Sequence, residues 1–356
     1  MRIGSLFSGY GGLDMAARLV WPGAEVGWVS EIDPSGCRVL AETCDAPNHG
    51  DITKIDWAEV EPVDILTGGF PCQDVSLAGL GKGIGPDPRR QKVADDERTR
   101  SGLWWTMRDA VGALRPRWVV AENVSALLTR GGPEVTWSLA ELGYVGSWVT
   151  VRASDVGAPH RRSRVFLVAW PADADGGSSW VSPELPAVWP APMTLPTPTV
   201  GDSRGGRNAT SGRKEGSQHH SGYTLCDIAY LDHFGKFAPA IEQWERILGR
   251  RAPAPLSPER KLEPPFVEWM MGLPAGHVTG WGLSHTAQLR TLGGGVVPQQ
   301  GAFGIASALE QAGGVPVGAT DPGAGTVTVV VGSDVGPACV DGPGTILGAD
   351  PASAPE

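Results

Sequence analysis

The run Pro62-Val63-Asp64-Ile65-Leu66-Thr67, followed by Gly68-Gly69-Phe70-Pro71-Cys72-Gln73-Asp74-Val75-Ser76, constrains the fold most tightly. A short apolar, β-branched run of this kind reads as a strand buried on both faces, which requires a largely parallel sheet covered by helices on each side. In such sheets reacting groups collect at the carboxyl ends of strands. Gly68 and Gly69 allow a sharp turn and close approach of another molecule, and Pro71 fixes φ just before the thiol. Cys72 therefore reads as a presented cysteine. The competing reading is a small buried hydrophobe, a common fate of free cysteines.

Other stretches repeat the arrangement. Ile3–Phe7 reads as a strand and Leu13–Leu19 as a helix, with a glycine turn between them that suits a nucleotide. Val26–Ser30 reads as a second strand ending at Glu31, about twenty residues on, where a carboxylate can hold a ribose diol. A third element ends at Gly50-Asp51-Ile52 and offers a carboxylate for an adenine amine. Surface charge at strand ends explains either carboxylate alone; their joint register with the glycine turn points to a cofactor. Arg117–Ala121 brings Glu122 and Asn123 to the sheet edge that carries Cys72. Residues 134–143 read as a helix, and Val149–Val151 and Val165–Ala169 as strands flanking His160-Arg161-Arg162-Ser163-Arg164.

Phe7-Ser8-Gly9-Tyr10-Gly11-Gly12, Pro71-Cys72-Gln73, Glu122-Asn123-Val124 and the arginine stretch, in this order, resemble the C5-cytosine DNA methyltransferase family, of phage and bacterial type. The resemblance implies an α/β, Rossmann-like S-adenosylmethionine-dependent methyltransferase sheet with helices on both faces, plus a smaller irregular target recognition domain. It implies a catalytic domain over residues 1–170 and 280–311, a recognition domain with its hinge over 171–279, and a low-complexity tail over 312–356. The implied reaction is methyl transfer from S-adenosylmethionine to C5 of a flipped cytosine in double-stranded DNA, through a covalent bond from Cys72 to C6. Glu122 would meet the N3 and N4 edge, Asn123 would fix the loop, Arg164 would reach O2, and Arg162 would order the glutamate or contact the backbone.

The cofactor positions implied by the resemblance are Phe7, Gly9, Gly11, Gly12, Glu31, Ile32, Asp51, Ile52, Leu103, Gly294 and Val296. Gln73 and Ser76 fall on the DNA side, Ser76 in a long loop, Ala78–Ser101, that would close over the substrate. Pro265–Pro274 and Leu292–Gln300 resemble two later family segments. Two positions depart from pattern: His160 stands where Gln is common, and Gly294 where Asn is usual. Gly294 opens the alternative of a bulkier sulfonium donor such as carboxy-S-adenosylmethionine. A DNA-binding homologue without catalysis is a further alternative, whereas a nicotinamide oxidoreductase shares the glycine turn but gives no reason for Pro71-Cys72-Gln73.

A net charge of -10 argues at first against a nucleic-acid partner. Charge is unevenly placed, however: residues 200–262 carry ten Lys/Arg against seven Asp/Glu, and 150–164 four Arg against one Asp. Arg204, Arg207, Arg213 and Lys214, spaced by glycines, read as groove or phosphate contacts or as an exposed loop. The helix Pro239–Leu248 puts Ile241, Trp244, Ile247 and Leu248 on one face, with Trp244 read as core. No run of eighteen apolar residues or signal-peptide pattern occurs, and five cysteines form no CxxC pair. These features predict a soluble, metal-free protein in a reducing cytoplasm; the resemblance implies a monomer in a bacterial or phage-infected cell. From about Ala312 the tail is expected to be loosely packed.

Overall fold

All four residues of the strand Ile65–Gly68 (β3) are buried, because it runs parallel between Arg2–Leu6 (β1) and Trp118–Val124 (β4). Glu25–Ser30 (β2) adds in parallel outside β1. On the other side Ser163–Pro171 (β6) joins β4 antiparallel, and Tyr144–Arg152 (β5) joins β6 antiparallel. A two-residue strand, Val330–Val331 (β7), pairs with β5, giving the order β2-β1-β3-β4-β6-β5-β7. The computed structural model describes residues 1–72, 83–85, 87–88, 102–173, 190–204, 224–231, 233–259, 261–311 and 330–331. The expected closing loop and tail fall mostly outside these residues.

Helices cover both faces. Gly12–Val20 (α1) and Pro34–Thr43 (α2) follow the first two strands, Leu103–Leu114 (α3) follows β3, and Leu127–Arg130 (α4) and Gly132–Ala140 (α5) follow β4. Asp33 caps α2 by accepting from the Ser35 and Gly36 amides, with Pro34 in the first turn. Leu225–Leu231 (α6), Ala238–Leu248 (α7), Pro264–Met270 (α8), His285–Gly294 (α9) and Pro298–Gln311 (α10) complete the set. The last packs against α1, β5 and β6. Its closeness depends on two glycines: a Cβ on Gly301 would lie 2.6 Å from that of Ala16, and one on Gly304 would strike the Phe166 ring.

Three apolar cores result. One joins β3 and β4 to α3 and α5, around Trp104, Met107 and Val119. Another, on the opposite face, joins α1 and α10 around Ile3, Ala16, Phe166 and Ile305. The third holds α6 to α9 together around Trp244, Phe266 and Trp269, and reaches Tyr10 and Val39 beside the sheet.

The structure moves several boundaries. β3 begins at Ile65 instead of Pro62, since Pro62 has no N–H and the Asp64 carboxylate takes the Arg2 amide at 2.7 Å. β4 runs through Glu122 and Asn123, which pair with Phe166 and Val165, so both lie within the strand and not beyond it. In α7, Trp244 is buried and its indole N–H donates to the Trp269 carbonyl at 3.0 Å, while Ile247, expected on the same face, is exposed. Among the described residues no helix is long and apolar enough to cross a membrane, and no His, Cys, Asp and Glu group is placed to hold a metal ion.

Candidate active site

The turn after β1 uses backbone that L residues rarely adopt: φ is 53° at Phe7, 56° at Gly9 and 81° at Gly11. Glu31 fastens it. One carboxylate oxygen accepts from the Gly9 amide at 2.7 Å, and the other from the Ile32 and Asp33 amides at 2.9 and 2.7 Å. The first oxygen keeps an acceptor position for a hydroxyl. From the far end of the chain Val296 closes on this turn, its carbonyl taking the Tyr10 hydroxyl at 2.7 Å. A Cβ on Gly12 would lie 2.5 Å from that carbonyl, and one on Gly295 would enter the Tyr10 ring. Gly295→Ala is therefore expected to displace the ring and cost about 1–3 kcal/mol of stability, the range for overpacking a tight site. An unchanged thermal midpoint would contradict this.

Between these segments lies a cleft of ≈ 460 Å³, within the usual range for small-molecule sites. Phe7, Gly9, Gly12, Thr67, Gly69 and Glu122 line one side, and Val200, Arg290, Gly294 and Val296 the other. Of the remaining expected cofactor positions, Glu31, Gly11, Ile32, Asp51, Ile52 and Leu103 are not on its walls. Ile32 is 68% exposed, a Cβ on Gly11 would meet Leu40 and Asp14, and Ile52 is buried. Asp51 caps the short helix Ile52–Lys54 through the Thr53 amide and hydroxyl, which hold its carboxyl below the ordinary range.

Cys72 stands just past β3, half-buried, two residues after the buried Phe70, whose ring packs on Trp104. Asn123 clamps this loop by donating to the Phe70 carbonyl at 3.0 Å while its oxygen takes the Val124 amide. Next to it Glu122 receives Arg164 Nε at 2.8 Å, the two side chains being 11% and 17% exposed. A Cβ on Gly69 would lie 3.3 Å from the Glu122 carboxylate. Glu122 thus lines the cleft and pairs with Arg164, and Cys72 lies close enough to feel the charge of both.

Burial pushes the Cys72 thiol up, with Arg164 and Arg162 pulling down and Glu122 adding to the rise. Desolvation outweighs the nearby cations in the free protein. Burial also raises Glu122, against Arg164 and Arg162.

Arg162 departs from the sequence expectation too. It is buried, with φ at 26°, and its guanidinium donates to the carbonyls of Pro198, Gly293 and Gly295. It therefore ties the β5–β6 turn to the far wall of the cleft, and it acts on Glu122 through its charge and not through a hydrogen bond. Burial lowers its pKa to about 9. His160 joins the same turn to the end of α8, its Nε2 lying 3.0 Å from the Met270 carbonyl, and burial holds it neutral with a pKa of about 3. Gln73, Ser76, Arg207, Arg213 and Lys214 lie outside the described residues, as does the Arg204 side chain.

Three buried polar residues escaped the sequence reading. Gln300 donates to the Val151 and Arg162 carbonyls. Glu268 gathers the amides of Gly276, Val278 and Thr279 and so shapes the loop after α8. Asp14 lies under the glycine turn, accepting from Ser5 and Thr67. An acid in the first turn of an otherwise apolar helix was the one local signal for Asp14.

A family model described as C-5 cytosine-specific DNA methylase matches residues 1–219. The type II methyltransferase M.NlaIV of Neisseria lactamica is 32% identical over 178 residues, covering 46% of this chain and 39% of that protein. The orphan methyltransferase M.Rho11sI of Bacillus phage rho11s is 29% identical over 188 residues, 51% of this chain and 35% of that protein. The chain thus spans well under two thirds of these relatives. Among solved structures, a Spodoptera frugiperda DNMT2 mutant matches with a TM-score of 0.53 at 15% identity, over 85% of this chain and 97% of that one. S. pombe Dnmt2 matches with a TM-score of 0.52 at 15% identity, over 88% and 99%. Both likenesses concern the fold, a methyltransferase sheet flanked by helices.

Proposed function

The chain belongs to the C-5 cytosine-specific DNA methylase family, and from that premise we propose that it transfers a methyl group from S-adenosylmethionine to C5 of a cytosine flipped out of double-stranded DNA. The observation that carries this reading is a cleft walled by a left-handed glycine turn and by Glu122, where Glu122 pairs with Arg164 and Cys72 feels the charge of both. When bound, S-adenosylmethionine supplies an electrophilic methyl group. The cleft fits it: the glycine turn on its wall admits a close backbone approach, and Glu31, which stands behind that wall on the Gly9 amide, retains an acceptor for a ribose hydroxyl.

Cytosine C5 is too electron-poor to attack a methyl group until C6 has gained a nucleophile. Cys72 fills that role as a thiolate, a soft nucleophile. Negative charge then spreads to N3 and O2, where Glu122 shares a proton with N3 and Arg164 faces O2. Asn123 holds the Cys72 loop in place for the attack, and Arg162 keeps the two cleft walls in register. Loss of the C5 proton lets Cys72 leave. A stacked base cannot reach this site, so flipping is required, at about a few kcal/mol. The same reading has the protein acting as a monomer in the cytoplasm of a bacterial or phage-infected cell. Incubation with S-adenosylmethionine and duplex DNA should give 5-methylcytosine at a defined sequence; modification of RNA alone would overturn the substrate assignment.

A second reading concerns the transferred group. Gly294 lines the cleft, and a Cβ there would meet only Val200, at 3.9 Å. Arg290, one turn earlier on α9, lines the same wall. Arg290 pairs with Asp33, which also lines the cleft, at 3.0 Å; a carboxylated donor would fit the space and share this cation with Asp33. Nucleosides from DNA of a host expressing the protein would then contain a carboxymethylated cytosine; 5-methylcytosine alone would leave the methyl reading standing.

A further inference from the structure

Asp14 is a buried acid to which the proposed chemistry gives no task. It lies in the first turn of α1 and is 4% exposed. Ser5 Oγ donates to one of its oxygens at 2.7 Å and Thr67 Oγ1 to the other at 2.6 Å. Ser5 and Thr67 both line the cleft, so the two residues that hydrogen-bond the carboxyl connect it to the cleft wall.

The surrounding elements provide no ionic partner. Arg18, one turn along α1, is exposed, and among the described residues no ion pair joins it to Asp14. Cys44 is the other titratable group that feels it, from beyond α2. β1 and β3 offer the two hydroxyls, and α10 presents Gly301 against Ala16. A carboxyl kept dry without a counter-ion is costly. A cation arriving from the cleft would offset that cost.

We propose that Asp14 is the counter-charge of the donor site: in mildly acid solution it becomes a carboxylate when a cationic sulfonium donor fills the cleft, and takes a proton back when the neutral thioether product remains. The inference rests on the donor reading above. Both ligands carry the same amino-acid group, so the sulfonium charge is the difference that Asp14 senses. On donor binding the proton passes to solvent, and no bond other than O–H breaks.

Burial raises the free acid from 3.8 to about 6, with Thr67, Ser5 and Arg18 opposing. A cation nearby lowers that value, so donor binding expels a proton. Donor affinity is therefore full above about pH 6 and falls as the pH drops toward 5.

Calorimetric titration of the full chain with S-adenosylmethionine and with S-adenosylhomocysteine tests this, from pH 5 to 7.5 in buffers of different ionisation heat. Donor affinity is expected to fall by up to about tenfold between pH 6 and 5, with proton release, while product affinity stays nearly flat. Asp14→Asn should flatten the donor curve and reduce the preference for donor over product several-fold. The variant should fold: Thr67 Oγ1 already lies 3.4 Å from the Gly4 carbonyl and can turn to donate there. Its thermal midpoint at pH 8 should rise, because a neutral amide replaces an ionised buried acid. Equal pH slopes for donor and product, or a donor slope that survives in Asp14→Asn, would overturn the proposal. Failure of both ligands to bind would instead overturn the donor reading on which it rests.

Discussion

Cys72→Ala should lose methyl transfer by at least about 10⁴-fold in kcat, the scale seen when a covalent nucleophile is removed. Donor and DNA affinity should change only a few-fold. The side chain is half-buried at the end of β3 and stands on a loop that Asn123 clamps through the Phe70 carbonyl, so its removal leaves the scaffold in place. Cys72→Ser should recover little, because a hydroxyl is far less nucleophilic than a thiolate near neutral pH. In the wild type, burial raises the thiol's pKa. Single-turnover rates should therefore climb with pH as the thiolate forms. Retention of wild-type single-turnover rates by Cys72→Ala would remove the nucleophile from the mechanism.

Disturbing the Glu122–Arg164 pair should have the next largest effect. Glu122→Gln keeps the volume but cannot hand a proton to N3, and a loss of about 10²–10⁴-fold in methyl transfer is expected; it also leaves the mostly buried Arg164 guanidinium without its counter-charge, so stability falls as well. Arg164→Ala acts differently. It strands a mostly buried carboxylate that now has its partner 2.8 Å away, at a cost of about 3–5 kcal/mol. With both changes together no charge is stranded, so the double variant should melt higher than Arg164→Ala alone. Denaturant titration of the three variants checks this; strictly additive stability losses would show that the pair is not coupled.

Much of the site was legible because its parts are local. Gly9, Gly11 and Gly12 follow a strand directly, and Phe7, Gly9 and Gly11 take the left-handed backbone that such a turn needs. Ile65–Gly68 reads as a central strand because each of its side chains is apolar or small. Other features have no local mark. Arg162 reads as a second active-site cation until its carbonyl partners come into view, among them Gly293, 131 positions away in the chain. His160 is explained by Met270, 110 positions away. The short helices α6 and α8, seven residues each, are too brief to show a period, and they are fixed by packing around Trp244, Phe266 and Trp269. The direction of the thiol's pKa has no local mark either, since sequence shows which cations are present but not how dry the sulfur is.

The most direct test of the central claim is covalent trapping with a duplex containing 5-fluorocytosine, followed by peptide mapping by mass spectrometry. Fluorine cannot leave C5 as a proton does, so the sulfur–C6 bond should persist. The expected result is a donor-dependent adduct on the peptide that holds Cys72, absent from Cys72→Ala. An adduct on any other residue, or one that forms equally in Cys72→Ala, would contradict the account.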